Sequence, residues 1–294
     1  MPPLSQDELV LLAAAYLHLP ARRLRGLVRG EDQALNEWVA QGSARKITHA
    51  RHQAREGAQR LVKLGADLVT ITDPAYPSGL RDLDDPPAFL CVRGTLAEDG
   101  LAIVGSRTPP AAAVEFAREL ARRCKMPVVS GLAVGIDAAA HHGALDAGSP
   151  TIAYVATGLG ITYPPEHRAL EDEIVARGGA VASDRLPDEA VTKWSLVHRD
   201  RLQAAHARAT VLIATEIDGG AMQTMRFAKD LGRPRFVLGA QGEAKYAGNV
   251  QALADGAMPL PLDPDAALKI IRTTLAKETT TLATGRQQRT RSSR

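Results

Sequence analysis

Three short apolar runs in the middle of the chain each end in a loop that contains glycine and a polar side chain. The loops are Gly105-Ser106-Arg107, Ser130-Gly131 and Thr157-Gly158. Glycine lets a ligand approach the backbone closely, and free N–H groups at the start of a helix bind anions. Arg107 adds a guanidinium that can form two hydrogen bonds to one phosphate group. These loops therefore indicate a site for a phosphate-bearing ligand.

The sequence around these loops predicts strands that alternate with helices. β-Branched runs followed by Ala-rich helical stretches predict βαβ units and a mostly parallel, doubly wound α/β sheet. We expect strands at Leu101–Val104, Pro127–Val129, Thr151–Ala156, Ala180–Ala182, Thr210–Ala214 and Arg235–Leu238. In such a sheet, ligands bind beyond the carboxyl ends of the strands. The three glycine loops should therefore meet at one edge.

The whole chain divides into four predicted parts. Apolar residues at three- and four-residue steps predict a small helical N-terminal domain over 1–66. The α/β domain, 67–240, begins with a turn-rich connector whose short strands are expected at Leu68–Thr72 and Phe89–Val92. A C-terminal extension, 241–278, has one expected helix near Asp265–Ala276, and the polar, basic tail 279–294 is expected to be disordered.

The composition limits the class of protein. The chain has 294 residues, 45% of them hydrophobic, which suits a globular protein with a core. It has two cysteines, no pattern of a signal peptide and no apolar run of about 18 residues, so we expect a cytoplasmic protein that does not span a membrane. The net charge of +3 divides into +4 for 1–66, −5 for 67–278 and +4 for 279–294. A polyanion must therefore be bound by a few placed cations rather than by bulk charge.

The basic residues outside the α/β domain have two interpretations. Those of the N-terminal domain could form a secondary phosphate-contacting face, although runs of charge are more often solvated helix surfaces. They include Arg22, Arg23, Arg25, Arg29, Arg45, Lys46, Arg51, Arg55 and Arg60. The basic tail could add affinity for nucleic acid or only solubility.

The loops together closely resemble the DprA/Smf family. The matching segments are Ala102–Arg107, Ser130–His141, Thr157–Leu159 and Tyr163–Glu166, with Asp73–Pro77, Pro86–Pro87 and Val92–Gly94 upstream and Phe236–Gly239 downstream. The resemblance covers about residues 65–240 and implies an extended Rossmann-like fold that binds single-stranded DNA and promotes its loading onto RecA. It also implies a homodimer, and we expect a protein without enzymatic activity, cofactor or metal.

The resemblance and the loop chemistry together select the candidate DNA-binding residues. Backbone N–H groups of three glycines could cradle phosphate, Arg107 could bind a phosphate or a base edge, and Ser130 could donate its hydroxyl. Asp137 is in the first turn of a helix, where a carboxylate is also an ordinary cap. The set is Gly105, Ser106, Arg107, Ser130, Gly131, Gly135, Asp137, Thr157, Gly158, Lys193, Trp194, Arg199, Arg201, Gly219, Gly220 and Thr224.

The chain departs from the family after the fourth strand. The family's Phe-x-x-Arg-Asn-Arg segment is here Leu196–Arg201, which keeps Arg199 and Arg201 but loses the aromatic residue and the Asn. Stacking of a base on an aromatic ring is worth about 1–3 kcal/mol, so Leu196 should weaken binding unless Trp194 replaces the ring. Trp194 could equally belong to the core. Asp200 places a carboxylate between the two arginines.

Three other kinds of site are alternatives to a DNA-binding site. Gly219-Gly220 with Thr224 is similar to the Gly-Gly-x-x-Thr loop of nucleotide phosphoribohydrolases. Asp137, Glu216 or Asp218 with Arg107 could then serve a nucleotide-ligand sensor or an enzyme that cleaves an N-glycosidic bond. A metal site at Asp137, His141 and His142 lacks a second ligand cluster, and NAD binding is disfavoured because the first loop is not GxGxxG.

Overall fold

The computed structural model describes residues 3–239 and 244–292, with side chains as far as residue 278. Its first four helices are α1 (Gln6–Tyr16), α2 (Ala21–Val28), α3 (Gln33–Gln41) and α4 (Arg45–Leu64). Ser5 and Glu8 cap α1 reciprocally, and α4 ends at Gly65, whose φ of 64° is the left-handed conformation that glycine favours. The predicted helical N-terminal unit is therefore present.

The helical N-terminal unit shares its core with the sheet. Leu12 of α1 and Leu61 of α4 are fully buried, and they belong to the same apolar cluster as Val155 and Val181 of the α/β part. The polar faces of these helices point outward, which is the usual reason for an amphipathic pattern. The two parts therefore form one continuous packed body.

A nine-stranded sheet forms the centre of the molecule. Its strands are β1 (Ala66–Thr70), β2 (Phe89–Gly94), β3 (Gly100–Val104), β4 (Val128–Ser130), β5 (Thr151–Tyr154), β6 (Ala180–Ser183), β7 (Ala207–Leu212), β8 (Arg235–Leu238) and β9 (Met258–Leu260). Their order is β1-β2-β6-β5-β4-β3-β7-β8-β9, and every pair is parallel except β1–β2 and β2–β6. The predicted mixed, mostly parallel α/β fold is confirmed.

Helices cover both faces of the sheet. They are α5 (Ala111–Arg123), α6 (Ile136–Asp146), α7 (Arg168–Ala176), α8 (Lys193–His206), α9 (Ala221–Asp230), α10 (Ala247–Ala254) and α11 (Pro264–Ser292). Because side chains alternate along a strand, Leu101 and Ile103 of β3 pack in one cluster with α5 and α6, whereas Ala102 packs with Leu202 of α8 in another.

The direction of winding changes between β3 and β7. From β3 the chain adds β4, β5 and β6 on one side, and β7, β8 and β9 on the other. The loops that follow β3 and β7 therefore diverge and leave a crevice at the carboxyl ends of the strands, which is the usual ligand position in such sheets.

The C-terminal part differs from the sequence prediction. Besides the expected helix it contains α10 and β9, which pairs with β8 and so extends the sheet beyond residue 240. The α11 backbone continues as a helix to Ser292, where disorder is predicted. Its residues from 279 to 292 contain no proline to end the helix, although their five threonines and one glycine are weak helix formers. Among the described residues, no helix is long and apolar enough to cross a membrane.

Candidate nucleic-acid interface

A cavity of about 410 Å³ occupies the crevice where the winding reverses, and we call it the strand-end cavity. The loops after β3 and β7 and the helices α6, α8 and α9 contribute its walls. The predicted residues that line it are Gly105, Ser106, Arg107, Asp137, Lys193, Arg199, Gly219, Gly220 and Thr224. The structure therefore brings much of the predicted set together at one place.

Two loop glycines are required by contacts within the protein. Gly135 has a φ of +82°, and a Cβ there would lie 2.5 Å from the Ser106 carbonyl oxygen. A Cβ at Gly131 would overlap the Arg199 guanidinium. These glycines let the loops and Arg199 pack together, so their first role is to build the site rather than to admit a ligand.

Several polar groups predicted to contact phosphate are used by the protein itself. The Gly131 N–H donates to Asp137 Oδ2 at 3.1 Å, and the Ser130 hydroxyl donates to the Ile103 carbonyl at 2.7 Å. The Ala133 N–H also points at Asp137 Oδ2, at 3.4 Å. Asp137 thus caps its own loop, while burial raises its pKa and Arg199 opposes that rise.

Arg107 is a cation that the structure leaves open to a ligand. It is exposed at the mouth of the strand-end cavity. Within residues 3–239 and 244–278, its guanidinium has no ion-pair or hydrogen-bond partner. An exposed guanidinium costs little to bring to a phosphate, because no internal bond has to be broken first.

Arg199, in contrast, is built into the cavity wall. It is 6% exposed, and its Nη1 donates to the Gly131 and Tyr154 carbonyl oxygens, the latter at 2.9 Å. Its Nε lies 3.2 Å from Asp200 Oδ1 and has no hydrogen-bond partner in the described part of the chain. Arg199 therefore gives positive charge to the wall while its orientation is fixed by the backbone.

Asp200 is a buried carboxyl group in the same wall. It is 7% exposed, and its Oδ1 accepts a bond of 3.2 Å from Gln203 Nε2. Burial raises its pKa to about 7, against the attraction of Arg199 and Arg107, and the neighbouring Asp137 raises it further. Its charge therefore changes near neutral pH.

The charges that line the strand-end cavity balance one another. Glu216 at the rim is held by Lys245 at 2.6 Å, and Lys245 also bonds to Thr108 Oγ1 at 3.1 Å. The charged lining residues are Arg107, Lys193 and Arg199, and Asp137, Asp200 and Glu216. The cavity is therefore suited to a ligand with one or two phosphates and polar, uncharged parts, rather than to a dense polyanion.

Glycines at the start of α9 complete the rim. A Cβ at Gly219 would overlap the Thr215 hydroxyl, whereas a Cβ at Gly220 would meet nothing within 4 Å. Thr224 lies one turn into α9 and is buried. Gly220, next to the first residue of α9, is therefore the position where a ligand can come closest to the backbone.

The remaining predicted residues lie outside this cavity. The Thr157 hydroxyl donates to the Ile161 carbonyl at 2.6 Å, and the Gly158 N–H donates to the Glu189 carbonyl at 2.8 Å. Arg201 lies on the other side of α8, where it bonds to Asp184 at 2.7 Å. The structure gives these residues hydrogen bonds that hold loops and α8 in place within the α/β part.

Comparison with known proteins places this geometry in a family. Residues 67–271 match the family model of DNA recombination-mediator protein A. The chain belongs to this family. It is 32% identical over 252 residues to the putative DNA processing protein DprA of Mycobacterium tuberculosis (strain H37Rv), covering 79% of this chain and 62% of that protein. It is also 32% identical over 174 residues to DprA of Streptococcus pneumoniae, covering 58% and 61%.

Solved structures of the DprA family have the same fold. The crystal structure of S. pneumoniae DprA matches with a TM-score of 0.66 at 24% identity, covering 90% of this chain and 93% of that one. Helicobacter pylori DprA, described for its single-stranded DNA binding mode, matches with a TM-score of 0.63 at 24% identity, covering 72% and 98%. The matched region spans 45% of Protein Smf of Synechocystis and 61% of S. pneumoniae DprA.

Leu196 and Asp200, the two departures from the DprA pattern, both line cavities at the ends of the strands. Leu196 lines the strand-end cavity and also a neighbouring cavity of about 210 Å³, which we call the tyrosine cavity. Asp200, at the position of the family's Asn, lies in the wall of the strand-end cavity. Leu196 is therefore placed where an aromatic ring could contact a ligand, as the sequence prediction requires.

Trp194 belongs neither to the core nor to the strand-end cavity. Its side chain is 58% exposed and stacks on His198, with ring centroids 4.1 Å apart and planes at 20°. Arg185 lies over the same ring, 5.5 Å from its centroid. Because α8 has 3.6 residues per turn, Trp194 and Leu196 point to different sides of it, and the core interpretation of Trp194 is wrong.

Tyr163 is an aromatic residue that the sequence prediction missed as a ligand contact. It is 36% exposed and lines the tyrosine cavity together with Leu196, Arg107 and Arg199. Its Tyr-Pro motif carries the family resemblance, but nothing in the sequence indicates that this loop folds over the α8 wall. A base that stacks on Tyr163 would lie beside Arg107.

The histidines of α6 do not form a metal site with Asp137. His141 is fully buried, its Nδ1 lies 2.7 Å from the Thr151 hydroxyl, and burial lowers its pKa to about 3. Among the described residues there is no group of three or more His, Cys, Asp or Glu side chains that could hold a metal ion.

Proposed function

We propose that this protein binds single-stranded DNA in the strand-end cavity and delivers it to a RecA-type recombinase, without cleaving it. The observation that carries the proposal is the exposed Arg107 beside a cavity at the winding reversal of the sheet. Family membership supports the same ligand class, since relatives are named DNA processing proteins. Delivery to a recombinase and formation of a homodimer rest on the family resemblance.

The charge pattern favours single strands over duplex DNA. Arg107 and Lys193 are exposed at the mouth of the cavity, while Arg199 is buried in its wall. A cavity of this size admits a nucleotide whose base is unpaired, and duplex bases are not available for such insertion. With two or three phosphates contacted, log Kd should change with log salt by a slope of roughly 1.4 to 2.1, because each contact contributes about 0.7.

The proposal is tested by fluorescence anisotropy with labelled oligo-dT and a duplex of equal length at two salt concentrations. We expect tighter binding of the single strand and the shallow salt dependence given above. Equal affinity for duplex, or a steep slope that indicates many phosphate contacts, would contradict it.

A second candidate function is hydrolysis of a nucleotide N-glycosidic bond, and Asp200 is the observation that favours it. A general acid works best with a pKa near the working pH, and the pKa of Asp200 is raised to about 7 by burial. The carboxylates named from the sequence are less suitable, because Asp137 caps its loop and Glu216 is paired with Lys245. Incubation with a panel of mononucleotides, followed by detection of free base, decides between the two functions.

A further inference from the structure

The floor of the strand-end cavity contains polar atoms that the protein leaves without partners. Gln203 and Thr215 are each 1% exposed and both line the cavity. Gln203 Oε1 and Thr215 Oγ1 have no hydrogen-bond partner in the described part of the chain. A buried polar group without a partner costs about 1–3 kcal/mol, so such groups beside a cavity indicate a polar ligand.

The chemistry of the floor excludes phosphate as its occupant. Asp200 and the Gln203 carbonyl are held side by side by the bond from Gln203 Nε2 to Asp200 Oδ1, at 3.2 Å. Both present acceptor oxygens, and an ionised carboxylate repels an anion. Asp137 adds a second carboxyl group in the same wall, and Arg199, the cation beside them, is already paired with Asp200 at 3.2 Å, while the exposed cations Arg107 and Lys193 lie at the mouth. Phosphate is therefore favoured at the mouth and hydrogen-bond donors are favoured at the floor.

We propose that Asp200, Gln203 and Thr215 read the Watson–Crick edge of one unpaired base and favour guanine. Guanine presents two adjacent donors, N1–H and the 2-amino group, beside the O6 acceptor. The two donors match the acceptor pair of Asp200 and Gln203, and the Thr215 hydroxyl can donate to O6. Thymine has one donor, whereas adenine and cytosine each pair a donor with an acceptor. This inference rests on the proposed binding of single-stranded DNA.

The test uses the full chain at pH 8 and competition by oligo-dT strands that carry a few substituted positions. Substitution with dG should strengthen binding about tenfold over dT, because dG alone can make the bidentate contact to the acceptor pair. Inosine lacks the 2-amino group and should fall between dG and dT. Lithium salts prevent guanine quadruplexes from competing.

Two substitutions test whether residues at the floor of the strand-end cavity cause the preference for dG. Asp200→Asn replaces one acceptor by a donor and should remove the preference for dG while oligo-dT still binds. Thr215→Val keeps the volume and should reduce the preference in part. The matched control is Asp230→Asn, an exposed carboxylate of α9 outside the strand-end cavity, and it should keep the preference.

The outcomes separate the inference from the proposed function. Binding of all four bases with equal affinity would overturn the inference alone, as would a dG preference that survives Asp200→Asn. Failure of every single strand to bind better than duplex would overturn the proposed function and the inference with it.

Discussion

The two sides of α8 carry similar types of residue but have different roles. One side lines the strand-end cavity, and the other is bonded to the rest of the protein. Its cavity face consists of Leu196, Arg199, Asp200 and Gln203, and its far face consists of Trp194, His198 and Arg201. On the far face, each guanidinium nitrogen of Arg201 has a partner: Nε bonds to His198 at 3.0 Å, Nη1 to the Asp85 carbonyl at 3.0 Å, and Nη2 to Asp184 at 2.7 Å. On the cavity face, Gln203 Oε1 has no hydrogen-bond partner among the described residues, and Arg199 Nε has only its ion pair with Asp200 at 3.2 Å.

This difference shows that helical position decides the role of each arginine. Arg199 and Arg201 are two residues apart, which is about 200° around a helix, so they point to different sides. The far face joins α8 to the connector and, through Asp85, to Arg25 of the N-terminal unit at 2.5 Å. The far face is therefore a clamp whose arginine is fully bonded within the protein, although His198 Nδ1 has no hydrogen-bond partner among the described residues, and the cavity face is a ligand surface.

The strongest test of the comparison is Arg201→Ala, which should destabilise the fold by about 3 kcal/mol because it removes the guanidinium partner of the buried Asp184 carboxylate and leaves it only His198 nearby. Burial alone would raise the pKa of Asp184, but bonding to His198 and attraction by Arg201 outweigh it and lower that pKa. Urea denaturation at pH 7 measures the loss. Asp184→Asn in the same chain should recover part of it, and a loss below about 1 kcal/mol would show that Arg201 is not a clamp.

Arg107→Ala, in contrast to Arg201→Ala, should change DNA binding rather than stability. Removal of an exposed, unpaired guanidinium should weaken binding of oligo-dT by about 1–3 kcal/mol and leave the free energy of unfolding nearly unchanged. Anisotropy and urea denaturation on the same sample measure both quantities. The matched control is Arg226→Ala, an exposed arginine of α9 outside the cavities. Unaltered affinity for Arg107→Ala would place the binding site elsewhere.

The fold could be predicted largely from local sequence, with informative exceptions. Runs that end in glycine predicted the central strands, because both the β propensity and the turn are local properties. The strand β9 was missed since it is three residues long and contains Pro259, which suits only an edge position. Buried Asn249 of α10 was also missed, although it bonds to the Ile213 carbonyl at 2.8 Å and the Leu238 carbonyl at 3.1 Å. Such long-range contacts leave no periodic signal.

The site could be predicted only in part. The position of the cavity could be predicted from the glycine loops and the sheet. The role of Arg107 as a ligand contact could be predicted from its place in the first of these loops. Which polar groups remain free for a ligand does not follow, because that depends on partners far away in sequence, such as Gly131 with Asp137 and Ser130 with Ile103. The free polar atoms of Gln203 and Thr215 carry no motif and appear only once α8 and the loop after β7 are packed together.

A smaller effect is expected from restoring the aromatic residue on the cavity face. Leu196→Phe should strengthen oligo-dT binding by about 1 kcal/mol, the low end of base stacking, because Tyr163 already supplies a ring in the tyrosine cavity. Tyr163→Leu should weaken binding, and Leu196→Phe in that background should then give a larger gain. No gain in either background would mean that bases do not stack against this wall.

The smallest expected effect is the pH dependence of the cavity face, which follows from Asp200. Burial raises the pKa of this group from its ordinary value near 4 to about 7, and the charged groups that act on it are Arg199, Asp137 and Arg107. Between about pH 4 and pH 7 the folded state therefore holds more protons than the unfolded state, so the contribution of Asp200 to stability falls as pH rises through this range.

Binding of oligo-dT should follow the same titration. Below pH 7 the neutral carboxyl no longer offsets the charge of Arg199, so affinity should rise by a few-fold, less than about 1 kcal/mol, as pH falls from 8 to 6. Phosphodiesters do not titrate in this range, and Asp200→Asn should flatten the profile of the same oligonucleotide. The far face provides the internal contrast: His198→Gln should leave the slope of binding against pH intact, since His198 stacks on Trp194 away from the strand-end cavity. If that variant, rather than Asp200→Asn, removes the slope, then the far face takes part in DNA binding and the division of α8 into a clamp and a ligand surface is wrong.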